Sequence, residues 1–213
     1  MTNTARKEEF SWSTFYAKRK EMRKVFPSVY KLKLRKKLSD VVLEELKGGE
    51  AILDVGASTR RLADKIESSL PGGVTYKTMD IDKTQSHDYY SIGEIKEKFD
   101  VIVLSEVIEH IEFMDGMKLL RELRGLLKAG GRLIVSTPNL NHPNRYWDSD
   151  HRTPYRYEEL AGALLWAGFD VTKLYRIYND QFIRRFIRVY VMSWLHKYLD
   201  VDFAKSIVAV ARA

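Results

Sequence analysis

The chain of 213 residues contains no cysteine. That absence removes disulfides, thiolate nucleophiles and thiolate-held zinc or iron–sulfur clusters together, and with them radical chemistry on such a cluster. A reducing compartment is compatible with it, and a cytoplasmic location is the expectation. No apolar run approaches the roughly 20 residues of a membrane-spanning helix, so no transmembrane segment is expected. The first residues are polar and charged, without the apolar stretch of a secretory leader. What is present is the composition of a soluble globular protein, with 45% hydrophobic, 12% aromatic and 31% charged residues. The length suits one domain with a short extension.

The net charge of +7 is uneven. Residues 1–40 hold 12 Lys and Arg against 4 Asp and Glu, so the remainder is close to neutral. A basic segment of this kind attracts nucleic acid, an acidic membrane surface or an anionic substrate, or is simply a solvated helix face.

Hydrophobic periodicity gives an alternation of elements. Helices are expected over 13–25 and 30–46, the second on the stripe Leu34, Leu38, Val41, Val42 and Leu46, ended by Gly48 and Gly49. The short apolar run AILDVG (51–56) reads as a buried strand, followed by helix 59–70 and a stop at Pro71, Gly72 and Gly73. Strands follow over 74–79, 100–104 and 132–136, with helix 114–127 between the last two. Helix 157–167, strand 170–177, helix 181–198 and strand 206–213 complete the chain. Strands alternating with helices build a mostly parallel α/β sheet whose ligands lie beyond the carboxyl ends of its strands. Chemistry is therefore expected after Val55, Met79, Leu104 and Val135.

Gly56 follows the first strand of this alternation, where a glycine lets backbone approach a ligand at a helix start. Asp80 lies 24 residues further on, at the end of the next strand, and can accept both hydroxyls of a ribose. It is preferred to Asp82 because it ends the apolar strand directly. Ile81 can cover an adenine face. This pair suits any adenosine cofactor, NAD included; NADP fits poorly because a carboxylate repels its extra phosphate.

Three further runs narrow the choice. They are FDVIVLSEVIEHI (99–111), LKAGGRLIVSTPN (127–139), and the set His151, Arg152, Tyr155, EEL (158–160) and AGF (167–169). In order and spacing they resemble class I S-adenosylmethionine-dependent methyltransferases over residues 50–213. Within that class they are similar to the branch of ubiquinone-pathway O-methyltransferases and other small-molecule enzymes. The resemblance implies a Rossmann-like, mostly parallel seven-stranded sheet with helices on both faces. An N-terminal helical extension over 1–48 would precede a cofactor-binding domain over 49–213.

It also implies contacts. Asp54, Gly56 and the backbone of Ala57 and Ser58 would meet the methionine part of the cofactor, and Asp80 would hold the ribose. Asp88 would approach the adenine amino group, and Ser105 and Glu106 would line the reacting end. The family commonly has glycine where this chain has Ser58 and Arg60; Arg60 either crowds the turn or points outward along the next helix.

A methylated hydroxyl benefits from a general base. His110, four residues past Glu106, is the first candidate; the plainer alternative is that it packs the start of the next helix. Glu106 is placed in the catalytic set with it, and His142 and His151 are alternative bases. Glu106, Glu109 and His110 also form an oxygen-and-nitrogen set that can bind a divalent ion with water completing the shell, but no metal is assigned. The polar and aromatic stretch 139–151 is expected to contact the acceptor. Tyr16 and Tyr30 are expected to pack, or to close the pocket as a lid. Residues Phe182, Ile183, Phe186, Ile187, Tyr190, Trp194 and Tyr198 form an apolar stripe, expected to pack on the sheet or pocket, with a membrane surface or second subunit as the alternative.

The leading expectation is thus methyl transfer to a small molecule, most readily at oxygen. The alternatives are an RNA methyltransferase using the basic segment and a non-catalytic binding module, with a nicotinamide dehydrogenase more remote. The SEVI run (105–108) lacks the Asn/Asp-Pro-Pro-aromatic pattern of base amino-group methylation. The sequence carries no indication of oligomeric state.

Overall fold

Successive side chains of a strand point to opposite faces of its sheet, and the central strands here carry consecutive apolar residues, Ala51–Leu53 and Val101–Leu104. Both faces must therefore be covered. The computed structural model describes residues 10–70, 73–144 and 148–213; Pro71, Gly72, Arg145, Tyr146 and Trp147 of the sequence reading lie outside them.

The elements are α1 (Trp12–Val25), β1 (Lys33–Arg35), α2 (Leu38–Glu45), β2 (Ala51–Val55), α3 (Arg61–Ser69), β3 (Thr75–Met79), β4 (Phe99–Ser105) and α4 (Phe113–Leu126). They continue with β5 (Leu127–Pro138), α5 (Tyr157–Trp166), β6 (Asp170–Ile177), α6 (Phe182–Phe186), a π-helical stretch (Ile187–Val191), α7 (Ser193–Tyr198) and β7 (Ser206–Arg212). The seven strands form one sheet in the order β1-β6-β7-β5-β4-β2-β3, parallel except for β7. This is the Rossmann-like sheet that the sequence pattern implies.

Leu53, Ile102 and Leu104 face a core closed by α1, α4 and α5 through Phe15, Met117, Leu120 and Leu160. Ile52, Val101 and Val103 face the other core, closed by α2 and α3 through Val41, Val42 and Ile66. Each fully buried Leu or Ile contributes roughly 1.5–3 kcal/mol. Helix α1 is clamped to α5: Arg19 and Arg23 reach the buried Glu158 at 3.3 and 2.9 Å, and Arg19 reaches Glu159 at 2.9 Å. Part of the basic block thus has an internal task.

Two expectations are corrected. The helix expected over 30–46 is broken: Val29–Lys31 is a single 3-10 turn, β1 follows, and only then does α2 start. The run Leu32, Lys33, Leu34, Arg35 alternates apolar and cationic residues with a period of two, which favours an edge strand. β1 pairs with β6 and supplies the seventh strand, which the sequence reading had not located. The helix expected over 181–198 is divided into three short pieces, and its apolar stripe is exposed rather than packed in the core.

The reversal of β7 decides what lies at the carboxyl edge. Ser206, at its start, pairs with both Pro138 of β5 and Ile177 of β6. The segment 178–205 therefore rises from the edge where parallel strands release their ligand-binding loops. It is tied down by Asp202, which is buried. One oxygen accepts from Arg176 Nη1 at 2.9 Å, and the other accepts from Asn139 Nδ2 at 2.9 Å. Asp202 N donates to Asn141 O at 3.0 Å, and Arg176 Nη2 donates to Tyr30 O at 2.9 Å. Tyr30 in turn donates its hydroxyl to His196 O and Val201 O. Tyr30 is a tether, while Tyr16 is exposed.

Asp202→Ala leaves the Arg176 guanidinium buried and unpaired. The expected loss is about 3–5 kcal/mol of unfolding free energy, measured by denaturant titration. A loss below about 1 kcal/mol would show that the hub is not structural.

Candidate active site

The turn after β2 is forced by contact. Gly56 has φ of +77°, and a Cβ there would stand 2.1 Å from Val107 Cγ2. Only glycine allows β2 to pass this close to the residue two beyond β4. The N–H groups of Gly56 and Ala57 donate to Met79 O at 2.8 and 3.3 Å, which locks the turn to the end of β3. Ser58, with φ of +46°, donates its N–H to Asp80 Oδ2 at 2.7 Å. Asp80 Oδ1 accepts from Asp82 N at 2.9 Å. The Asp80 carboxylate is thus oriented by two backbone donors and remains half-buried.

A cleft of about 520 Å³ opens here, lined by Asp54, Gly56, Ala57, Ser58 and Ser105, as well as Lys37, Leu38, Ser39, Thr59, Arg61, Leu62 and Lys65. Five expected cofactor residues therefore share one cavity. Asp80 borders it through Ser58 without lining it. Ile81, beside Asp80, is 81% exposed, an apolar side chain standing in water. Asp88 is committed elsewhere: Oδ2 accepts from Thr78 N at 2.8 Å, and Oδ1 meets Lys77 Nζ at 3.1 Å. Arg60 does not fill the cleft; its guanidinium points along α3 to Glu67 at 3.5 Å.

Asp54 is buried at the cleft floor and accepts from Tyr76 Oη at 2.9 Å. Burial pushes its carboxyl up to about 6, against the stabilising Tyr76 hydrogen bond and with help from Asp80.

Beyond Ser105 the chain turns sharply. Glu106 has φ of +52°, and its N–H donates to Ser136 O at 3.1 Å. Burial raises its pKa, opposed by hydroxyl hydrogen bonds from Ser136 and Ser206. A 3-10 turn over Ile108–His110 then places Glu109 inside and His110 half-exposed. Glu109 Oε2 accepts from Thr137 Oγ1 at 3.2 Å, while Oε1 is buried without a hydrogen-bond partner. Burial first, then the charge of Glu106, pushes Glu109 up to about 8. The Glu109 carbonyl accepts from the N–H groups of Arg152 and Thr153 at 2.8 and 2.9 Å, which brings His151 over the turn. The His110 and His151 rings meet edge to face with centroids 4.9 Å apart, and His110 Nδ1 lies 3.2 Å from Asp150 Oδ2.

Glu106 and His110 thus stand along one turn, with His151 over it. The oxygen-and-nitrogen set that converges, however, is Glu109, His110 and His151, with ligand atoms within 4.8 Å of one another. A divalent cation is chemically suited to such donors, with water completing its shell. His142 does not join them: it is buried by Phe203, and its Nδ1 accepts from Asn144 N at 3.0 Å. Asn139 is a buried anchor of Asp202, not an exposed acceptor contact. The sequence reading used Glu109 only as a metal candidate, and its burial three residues past Glu106 was the missed signal. The cleft residues Lys37, Leu38 and Ser39 were hidden because the continuous helix expected over 30–46 is broken just before them, so that they stand at the start of α2 instead of in mid-helix.

The Methyltransferase domain family matches residues 29–174. No curated protein matches the chain. Among solved structures, a SAM-dependent methyltransferase from Archaeoglobus fulgidus superposes with a TM-score of 0.61 at 15% identity, covering 93% of this chain and 94% of the other. The 1,6-didemethyltoxoflavin-N1-methyltransferase of Burkholderia thailandensis, bound to 1,6-didemethyltoxoflavin and S-adenosylhomocysteine, gives 0.60 at 16%, covering 94% and 85%. The [4+2]-cyclase SpnF gives 0.57 at 18%, covering 82% and 79%. The chain belongs to the methyltransferase-domain family and is an S-adenosylmethionine-dependent methyltransferase.

Gly56→Ala is expected to lose stability twice, through left-handed strain of about 1–2 kcal/mol and overpacking of about 1–3 kcal/mol. Adding Val107→Ala removes the clash but not the strain. The double variant should therefore be less destabilised than the two singles summed. Strict additivity in thermal or denaturant unfolding would mean that the two side chains do not compete for this space.

Proposed function

We propose that this chain transfers a methyl group from S-adenosylmethionine to a hydroxyl oxygen of a small-molecule acceptor, with His110 as general base. The observation that carries the reading is the convergence of Glu109, His110 and His151 immediately beyond Ser105, the β4 residue that lines the cleft. The likeness of the FDVIVLSEVIEHI run (99–111) to ubiquinone-pathway O-methyltransferases supports oxygen as the acceptor atom.

The cleft fits the cofactor on its own features. The cradle at Gly56 is one that a Cβ would fill. Asp54 offers a buried carboxylate to an ammonium group, and Gly56, Ala57 and Ser58 offer a close backbone surface. Asp80, held by two N–H donors, retains lone pairs for ribose hydroxyls. Ile81 gains cover if an adenine lies on it, and Asp88 stands at the far side of that strand end. Ser105 and Glu106 border the methionine end. Bound there, S-adenosylmethionine supplies an electrophilic methyl group.

The chain's own part is positioning and proton handling. Holding the acceptor in line with the reacting bond removes much of the entropic barrier. His110 takes the hydroxyl proton, and the Asp150 carboxylate 3.2 Å from Nδ1 favours the imidazolium that forms. Glu109, pushed up to about 8, is mostly neutral at pH 7. The cluster then carries less negative charge than its composition suggests. His151 borders the acceptor.

Two outcomes follow. His110→Ala should reduce kcat by about 10²–10⁴ with cofactor affinity unchanged, read by S-adenosylhomocysteine formation over a panel of hydroxylated and aminated acceptors. Full activity would remove His110 from its role, and products methylated only at nitrogen would overturn the oxygen assignment. Cofactor affinity in calorimetric titration should fall as pH drops below about 6, by up to about tenfold per unit, because Asp54 must be ionised to meet an ammonium. The same raised pKa acts oppositely on the ligand-free fold. Protonating Asp54 stabilises the folded state as pH falls from above 6 towards 3.8, and the gain levels off below that. A pH-independent affinity that Asp54→Asn leaves unchanged would overturn this contact.

A further inference from the structure

We propose that the insertion between β6 and β7, residues 182–199, docks on an anionic lipid bilayer and presents the active-site edge of the sheet to it. Of the fifteen large apolar side chains exposed among the described residues, ten lie in this insertion. Phe182, Tyr190, Trp194 and Tyr198 are each more than two-thirds exposed. A patch of this density on a chain otherwise covered by polar groups marks an interaction surface.

Residues 181–199 contain Arg184, Arg185, Arg188 and Lys197 and no Asp or Glu. Arg188 is used internally, on Asp180 at 2.6 Å and over the Phe203 ring at 3.9 Å. Arg184, Arg185 and Lys197 have no ion pair among the described residues. Arg185 shares a groove with Lys36 and the exposed rings of Phe182 and Tyr190. Exposed Trp, Tyr and Phe beside unpaired cations are the side chains that occupy the headgroup layer: rings enter the acyl boundary while Arg and Lys reach phosphates. Charge decides against a second copy as the occupant, because an isologous contact would press Arg184, Arg185 and Lys197 against their own copies. No helix of the described residues is long and apolar enough to cross a membrane.

The placement gives the contact a consequence. The insertion leaves and rejoins the sheet at Ile177 and Ser206, and the Ser206 hydroxyl touches Glu106. Between the insertion and the β5 loop lies a trough of about 760 Å³, lined mainly by apolar side chains including Pro143, Ile187, Met192, Leu195 and Phe203. A docked insertion opens this trough to the acyl region beside the site. The inference concerns binding only and stands or falls apart from the methyl-transfer reading.

The test is co-sedimentation of the full chain with vesicles of phosphatidylcholine alone and of phosphatidylcholine mixed with phosphatidylglycerol, without cofactor or acceptor. Binding to the anionic vesicles should be tighter by about tenfold or more and should weaken at high salt. The exposed triple variant Phe182→Ser, Trp194→Ser, Tyr198→Ser should lose that binding while keeping its unfolding temperature. Brominated lipids should quench tryptophan fluorescence in the parent and less in Trp194→Phe. The proposal is overturned by equal or undetectable binding to both vesicles, or by anionic binding that survives the triple variant. It is also overturned by a dimer in light scattering that the triple variant dissociates while vesicle binding persists.

Discussion

The Asp202 carboxylate holds together what the sheet alone would leave apart. Parallel strands fix their own spacing through the backbone ladder, but the loops they release are not part of it. Here the β5 loop, the end of β6 and the run into β7 meet on one buried side chain, through Asn139, Arg176 and the Asp202 backbone. Burial raises the Asp202 pKa, and the Arg176 charge and the donor hydrogen bonds oppose that rise. An ion pair removed from water gains little net stability but is costly to break. Its value is positional, because it sets where the apolar insertion stands relative to Glu106.

Acids recur at this edge for a related reason. Asp54, Glu106 and Glu109 are all raised chiefly by burial, with Asp80 adding to the rise at Asp54 and Glu106 to the rise at Glu109. Glu106 and Ser58 also hold left-handed backbone without being glycine. Strain and desolvation of this kind persist only where surrounding structure over-determines them, and they gather at functional sites. The Met79 carbonyl and the Ser136 carbonyl supply that determination by accepting the turn N–H groups.

The sheet was legible because its central strands carry consecutive apolar residues, Ala51–Leu53 and Val101–Leu104, with turn chemistry close behind. Gly56, Asp80 and Ser105 were legible because each ends a strand, and strand ends fix position more tightly than helix faces do. Residues 30–46 misled because Leu34 and Leu38 satisfy a helical spacing and a strand spacing alike; pairing with β6, a contact about 140 residues away, decided it. Asp88 and Asn139 share the limitation. A polar residue near a strand end reads as a ligand contact, yet Thr78, Lys77 and Asp202 claim these two side chains. Which polar group is spent internally is a tertiary fact. Glu109 was undervalued for the opposite reason: its role depends on an unpartnered buried oxygen, which spacing does not reveal.

The apolar stripe of 182–199 shows how far a periodic pattern can be taken. Spacing of three and four identifies a face that seeks cover, but not what covers it. Core packing was the simpler assignment and would have required the insertion to lie back across the sheet. The sheet leaves no room for it: α1, α4 and α5 close one face and α2 and α3 close the other. With both faces occupied, a segment starting and ending at the carboxyl edge has only that edge to stand on. Its apolar side chains then meet solvent or an external surface. The cations interspersed among them select a surface of negative charge.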